Sequence, residues 1–112
     1  MTYRIHITAK AERDLMEAAD YIEFTLLNSK AANDLLDLAE SEISQLAFMP
    51  QKYPPVDDPV LNAWGIRLLV INHYLAFYII DEHSGVVHIV RFLYGKRNWV
   101  SILRSEPITL DE

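Results

Sequence analysis

Residues 66–94, IRLLVINHYLAFYIIDEHSGVVHIVRFLY, decide the fold of this chain. They form three segments rich in Val, Ile and aromatic residues, which is the composition typical of β-strands. Asn72-His73 separates the first two segments and Asp81 to Gly85 separates the last two. Interruptions this short fit hairpin turns but are too short for a parallel crossover, so the stretch predicts an antiparallel sheet. Residues 74–80 are almost continuously apolar, as expected of a central strand.

Upstream of this stretch, apolar residues recur every three or four positions, which predicts two amphipathic helices. The first helix covers roughly residues 9–27 and follows Thr8, whose hydroxyl suits an N-cap. The second helix is expected to begin at a cap formed by Ser29 and to end before Pro50. A short break between two long helices favours an antiparallel helical hairpin. The proline-rich residues 49–59 are predicted to form a loop.

The two ends of the chain complete the predicted order. Residues 3–7 alternate like a short strand, and residues 99–104 are predicted to form a terminal helical turn. The order is β-α-α-β-β-β-α, an α+β fold in which the helical hairpin packs on one face of a small antiparallel sheet. We expect a single domain over residues 1–112, with residues 106–112 forming a flexible tail.

The composition excludes several classes of protein. The chain has 112 residues, of which 51% are hydrophobic, and no cysteine, so it has no disulfide framework, thiolate nucleophile or Cys-ligated metal site. No stretch of 18 uncharged apolar residues occurs, so we expect no membrane span. The alternating first strand does not resemble a signal peptide, and we expect a cytoplasmic protein.

Charge is distributed unevenly along the chain. The formal net charge is −6, and residues 1–58 carry all of it, with eleven acidic and five basic residues. Within residues 64–105 the only acids are Asp81 and Glu82, against five arginines and lysines. A phosphate group would therefore bind to the second half, although the net charge disfavours a protein that simply coats nucleic acid.

The C-terminal part contains the candidate chemistry. Lys96 and Arg97 follow Gly95 immediately after the last strand, and Arg67 on the first hairpin strand could lie near Arg97. Arginines with a nearby His or Tyr would suit a phosphodiester, because Arg stabilises developing charge and His or Tyr transfers a proton. The alternative is that these cations solvate a strand end and that Arg67 pairs with an acid. We expect no metal site, because the four histidines have no metal-binding spacing, and no cofactor motif is present.

Several short segments of the chain form a recognisable set by their order and spacing. They are Thr8-Ala9-x-Ala11-x-x-Asp14-Leu15, Tyr21-Ile22, Phe48-x-Pro50, Gly65-Ile66-Arg67, Asn72-His73-Tyr74-Leu75-x-Phe77-Tyr78 and Val90-Arg91-x-x-Tyr94-Gly95-x-Arg97-Asn98-Trp99. With these segments the chain resembles the RelE/ParE toxins of bacterial type II toxin–antitoxin systems, the plasmid stabilisation type, over nearly its whole length. The resemblance implies the fold derived above and a protein that arrests growth until a cognate antitoxin neutralises it.

The resemblance implies two alternative targets. RelE-like members cleave messenger RNA on the ribosome, whereas ParE-like members poison DNA gyrase. Tyr74 stands where the RelE-like branch has an arginine, and Leu103 stands where it has a tyrosine. Because two parts of the RNA-cleaving set are missing and the helical half is acidic, we favour the gyrase inhibitor. A non-toxic remnant that still binds the antitoxin is a third hypothesis.

If the chain is an enzyme, the resemblance implies a metal-independent mRNA endoribonuclease. Arg67 and Arg97 would then bind the phosphate with help from Lys96, and His73 or Tyr94 would transfer the proton. The antitoxin is expected on uncovered apolar surface, for which the candidates are residues 102–110 and the helix residues Phe24, Leu26 and Leu27. The alternative is that these residues complete the core or a homodimer contact, and a toxin–antitoxin hetero-oligomer is also left open.

Overall fold

The computed structural model describes residues 2–110, which form a four-stranded sheet with helices on both faces. The elements, in chain order, are β1 (Arg4–Ile7), α1 (Ala9–Asp20), α2 (Ser29–Ser44), α3 (Pro59–Ala63), β2 (Arg67–Ile71), β3 (Tyr74–Asp81), β4 (Val86–Tyr94) and α4 (Trp99–Ser105). A π-helical turn, Tyr21–Thr25, continues α1, and two 3₁₀ turns, Gln45–Ala47 and Pro50–Lys52, follow α2. The predicted α+β fold is confirmed.

The strand order in the sheet is β1-β4-β3-β2. β2, β3 and β4 pair antiparallel through their two hairpins, as predicted. β1 instead lies parallel to β4, with Arg4 opposite Val86 and Ile7 opposite Ile89, so the sheet is mixed rather than wholly antiparallel. Tight turns fix the relative direction of β2, β3 and β4 only. Because α1, α2 and two strands separate β1 from β4, no turn fixes their relative direction.

The buried Thr8 turns the chain from β1 into α1. Its hydroxyl accepts a hydrogen bond from the Ala11 N–H (3.2 Å), which confirms the predicted N-cap, and donates to the Ile89 carbonyl of β4 (3.0 Å). One side chain thus begins the helix and fixes its start against the sheet.

The tip of the helical hairpin differs from the sequence prediction. α1 ends at Asp20 and not near residue 27, because a π-helical turn takes over at Tyr21. Leu27 then adopts a left-handed backbone conformation, with φ of 55°. The cap of α2 is Asn28 and not Ser29, since the Asn28 side chain accepts a hydrogen bond from an N–H of the first turn (3.0 Å).

Each face of the sheet is covered by its own apolar cluster. On one face α1 and α2 pack against the sheet, as predicted, with a buried cluster that contains Ala11, Leu35, Ala39, Ile43, Leu46, Leu69, Ile71, Ala76, Tyr78, Val87, Ile89 and Phe92. On the other face α3 and α4 contribute to a second cluster of Val56, Leu61, Ile66, Phe77, Val90, Leu93 and Leu103. α3 was not predicted, although Asp58-Pro59 at its start is a typical cap and first helical residue.

Two further predictions concern the termini and membranes. Glu106, the first residue of the predicted tail, forms ion pairs with Lys10 (2.6 Å) and Arg91 (2.5 Å). Residues 111 and 112 of that tail lie outside the described residues. Within residues 2–110 no helix is both long and apolar enough to span a membrane.

A pair of histidines joins β1 to β4. His6 and His88 face each other in the parallel register, and their Nδ1 atoms are 2.7 Å apart, so that one donates a hydrogen bond and the other accepts it. Burial, and then the neighbouring His6, lower the pKa of His88, whereas Asp81 opposes this change. A proton on both rings would place two positive charges in contact.

We therefore expect the free energy of unfolding to fall as the pH drops below 6.5, the ordinary pKa of histidine. The folded protein binds the His88 proton less readily than the unfolded chain does. The stability that comes from an uncharged His88 is therefore fully present above pH 6.5 and is lost as the pH falls from 6.5 through the lowered pKa. Urea unfolding at pH 7.5, 6.5 and 5.5 measures it. His88→Gln should flatten this dependence while His83→Gln, at an exposed turn, should not; an equal slope in both variants would contradict the prediction.

Candidate functional site

A groove lies between the tip of the helical hairpin and the end of the sheet where β3 begins and β4 ends. Its volume is about 830 Å³, within the range of ligand and peptide sites. We call it the hairpin groove. Its helical wall consists of Asp14, Glu17, Ala18, Tyr21, Ile22, Leu26, Asn28, Ala31 and Leu35. Its sheet wall consists of Asn72, His73, Tyr74, Phe92, Leu93, Tyr94 and Arg97.

Backbone hydrogen bonds bring three of the predicted site residues to the sheet wall. The Gly95 N–H donates to the His73 carbonyl (2.8 Å), and the Arg97 N–H donates to the Tyr94 carbonyl (3.0 Å). A Cβ on residue 95 would lie only 3.1 Å from the His73 oxygen, so glycine permits this close approach. Asn72, with φ of 59°, makes the turn that carries His73. His73, Tyr94 and Arg97 therefore share one rim of the hairpin groove.

Aromatic rings form the floor beside this rim. The Tyr74 ring stacks on Phe92 (5.1 Å between centroids) and meets Tyr94 edge-on (5.5 Å). Burial raises the pKa of Tyr74, with smaller contributions from Tyr94 and Tyr21. The Tyr74 phenol consequently stays protonated at neutral pH, where it can donate a hydrogen bond but is a poor general base.

A buried ion pair fixes the helical wall to the sheet. The Arg91 guanidinium binds both carboxylate oxygens of Asp14 (Nε 2.6 Å, Nη2 3.1 Å), and its Nη1 binds Glu106. Asp14 also accepts the Phe92 N–H (3.1 Å). Only about a tenth of the Asp14 and Arg91 side chains is exposed, at 11% and 12%. Helix periodicity alone would leave Asp14 on the solvated face of α1, but the structure buries it against the sheet.

Arg67 lies away from the hairpin groove. It pairs with Tyr78 in the middle of β3, whereas Tyr94 pairs with Tyr74 at the start of β3. The four-residue offset separates the two positions by about 13 Å along the sheet. The Arg67 guanidinium instead donates to the backbone carbonyls of Tyr53 (2.5 Å) and Gln51 (3.4 Å). The expectation that Arg67 neighbours Arg97 is therefore wrong. Within residues 2–110 no ion pair of Arg67 is recorded, although its charge contributes to lowering the pKa of the Glu82 carboxyl.

This position predicts a structural role for Arg67. Arg67→Ala removes a charged donor from the carbonyls of the proline-rich loop and should lower the free energy of unfolding by about 1.5–3 kcal/mol. Urea unfolding measures the loss. The control is Lys52→Ala, an exposed cation on the same loop that lies over the Tyr53 ring (5.4 Å to the centroid), with an expected change of at most about 1 kcal/mol. Equal stability of the wild type and Arg67→Ala would contradict this assignment.

The remaining candidate, Lys96, is exposed beside the groove and does not line it. The sheet wall thus offers Arg97 to bind an anion and His73 to move a proton, without a second guanidinium opposite. Within residues 2–110 no group of three or more His, Asp and Glu side chains could hold a metal ion. The arrangement suits binding of a charged surface more closely than it suits cleavage of a phosphodiester.

The sequence predicted His73, Tyr94 and Arg97 of the sheet wall as site residues, but of the helical wall it singled out only Leu26, as a docking candidate. Tyr21, Ile22 and Leu26 were treated as part of a regular amphipathic helix, and Asn28 as part of a break. The helical register is lost at the π-helical turn, and this change reorients the side chains that follow it. The only available signal was the run of large apolar residues that extends into the break at Leu26-Leu27.

Comparisons with known proteins agree with this architecture. A chain of the chromosomal ParDE toxin–antitoxin system from P. aeruginosa superposes with a TM-score of 0.68 at 18% identity, covering 83% of this chain and 96% of that one. A chain of the RelBE2 toxin–antitoxin complex from Mycobacterium tuberculosis gives a TM-score of 0.58 at 21% identity, covering 84% and 92%. At these identities the likeness establishes the fold alone. No curated protein sequence matches significantly.

The decisive comparison is with a family model. The model described as ParE toxin of type II toxin-antitoxin system, parDE, matches residues 5–99, which include both hairpin helices and all of the sheet except Arg4. The RelE/ParE resemblance found in the sequence is thereby confirmed. This chain belongs to the ParE toxin family of type II toxin–antitoxin systems.

Proposed function

We propose that this protein is a growth-arresting toxin that acts on DNA gyrase in the bacterial cytoplasm and is neutralised by a cognate antitoxin. The observation that carries the choice of gyrase is the separation of the two arginines. Arg97 lies on the hairpin groove, whereas the guanidinium of Arg67 is bound to the backbone of the proline-rich loop. This separation argues against a two-arginine phosphate clamp for RNA cleavage.

The charge of the helical wall supports the same choice. Glu17 lines the hairpin groove opposite Arg97, and the adjoining helical half of the chain is strongly acidic. RNA carries negative charge along its whole backbone and would be repelled by that wall. A protein surface with charges of both signs fits the groove better.

Ribosome-dependent RNA cleavage is the second candidate, and one observation favours it. His73, Tyr94 and Arg97 share one rim, which provides a single anion-binding group and two groups able to move a proton. This candidate requires catalysis without a second phosphate-binding cation. It also requires no metal, as the RelE-like branch implies.

The cognate antitoxin is the partner that follows from the family. Of the two predicted docking candidates, Ile102, Leu103 and Ile108 of the C-terminal segment already pack against the second apolar cluster. Phe24, Leu26 and Leu27 on the hairpin tip are exposed. The tip therefore remains the better candidate for any macromolecular contact.

Induction of the protein alone in bacteria, with leucine and thymidine incorporation followed in the same culture, tests the proposal. Under the gyrase proposal thymidine incorporation falls first, within minutes. If leucine incorporation falls first, ribosome-dependent cleavage replaces it. If neither falls at a protein level confirmed by immunoblot, the toxin proposal fails and the non-toxic remnant remains.

A further inference from the structure

Four large apolar side chains stand exposed at the tip of the helical hairpin. Tyr21, Phe24, Leu26 and Leu27 are 54%, 68%, 57% and 84% exposed. We call this group the tip cluster. Tyr21 and Leu26 also line the hairpin groove, so the cluster is continuous with the groove mouth. A cluster of exposed apolar side chains marks a contact surface more often than a single exposed apolar side chain does.

The backbone that presents the tip cluster is irregular in two ways. Residues 21–25 form a π-helical turn, in which the Leu26 N–H reaches back five residues to the Tyr21 carbonyl (3.1 Å). Leu27 has a φ of 55°, a conformation that costs a branched residue energy and that Gly or Asn adopts more readily. π-helical turns and retained strain both concentrate at functional sites. Folding alone does not require leucine at position 27, because its side chain is largely exposed.

On the helical side of the tip cluster the nearest charges are negative. From Asp14 to Ser29 the chain has four acidic residues and no lysine or arginine. Of these acids, Glu17 and Asp20 are exposed and Glu23 is partly exposed. The nearest following cation, Lys30, is engaged by Asp34 (2.8 Å). Among the described residues no ion pair is recorded for Glu17, Asp20 or Glu23, so the helical border of the apolar tip is negative.

We infer that the tip cluster is the surface with which the toxin contacts its target, and that this target is a folded protein with an apolar pocket bordered by lysines or arginines. The inference rests on the proposed function, because it requires that the protein is toxic. Exposed apolar side chains supply the buried centre of an interface, and the acidic border selects a basic rim. A nucleic acid offers neither an apolar pocket nor positive charge.

The first test separates contact from folding at Leu27. Leu27→Asn removes the apolar side chain and tolerates the left-handed backbone, so the melting temperature should stay unchanged or rise. Growth inhibition should fall at least about tenfold, measured as the inducer concentration that halves the growth rate, as expected when an interface anchor is removed. Leu38→Asn, at an exposed leucine of α2 away from the groove, is the matched control with unchanged toxicity.

The second test uses the sign of the charge. Asp20→Lys and Glu23→Lys should each weaken toxicity if the target surface is basic, and the double variant should weaken it further. If the target is RNA, the same changes should strengthen toxicity, because they add positive charge beside the groove. Glu40→Lys, about three turns from the start of α2, makes the same charge change at an exposed site distant from the tip.

The outcomes distinguish this inference from the proposed function. The inference is supported if the wild type is toxic and if Leu27→Asn and both lysine variants are less toxic than the wild type. A toxic wild type with unchanged Leu27→Asn toxicity, or with lysine variants of equal or greater toxicity, overturns it and leaves the toxin assignment in place. A wild type without any toxicity removes the proposed function, and the inference with it.

Discussion

Asp14→Ala is expected to lower the free energy of unfolding by about 3–5 kcal/mol, because it leaves a buried guanidinium without its main partner. Arg91 donates two hydrogen bonds to Asp14, and both side chains are almost fully buried. The substitution also removes the acceptor for the Phe92 N–H. Typical domains are stable by about 5–15 kcal/mol, so this single change consumes much of the total. Urea unfolding followed by circular dichroism measures it.

Two further variants show that burial causes the effect. Glu106→Ala removes the more exposed partner of Arg91 and should cost only about 1 kcal/mol. Asp34→Ala breaks the exposed pair with Lys30 and should leave the free energy of unfolding almost unchanged, because solvent screens that pair. If Asp14→Ala does not fold, the Asp14→Asn variant, which keeps one acceptor, should fold with an intermediate loss. A loss below about 1 kcal/mol in Asp14→Ala would contradict the prediction.

The Asp14–Arg91 pair also shows where sequence reasoning about the fold ends. Residues 66–94 predicted three strands and both turns, because alternation and turn length depend on local geometry. The Thr8 cap was equally local and was confirmed. The partner of Arg91 lies 77 residues away in the chain, and helix periodicity alone does not distinguish a buried acid from a solvated one. A charged residue inside a buried strand was the available signal that a partner was required.

The candidate site was likewise predictable only where its residues are close together in the chain. His73, Tyr94 and Arg97 follow from the turn and the end of one hairpin, and the structure brings them together. The distance between Arg67 and Arg97 depends on the register across three strands, which a turn-by-turn argument does not supply. The helical wall depends on a π-helical turn, and this feature has no simple sequence pattern. The prediction therefore failed where the site combines distant segments or an irregular helix.

Arg97→Ala is expected to weaken growth inhibition by at least about tenfold while leaving stability within about 0.5 kcal/mol of the wild type. Within residues 2–110 the structure records no ion pair for Arg97, and it lies on the groove rim beside His73. A cation without a structural partner contributes little to folding. Arginine at the edge of an apolar groove is, in contrast, a frequent anchor of protein interfaces. The measurement is the inducer concentration that halves the growth rate, at matched protein levels.

Lys96→Ala is the matched control, because Lys96 carries the same charge one residue earlier, is also exposed and does not line the groove. If Arg97→Ala loses toxicity while Lys96→Ala keeps wild-type toxicity, the function lies at the groove and a general effect of net charge is excluded. Equal losses in both variants would instead indicate long-range electrostatic attraction, which added salt weakens in a binding assay. Full toxicity of a stable Arg97→Ala variant would remove the sheet wall from the contact surface and leave the tip cluster to carry it.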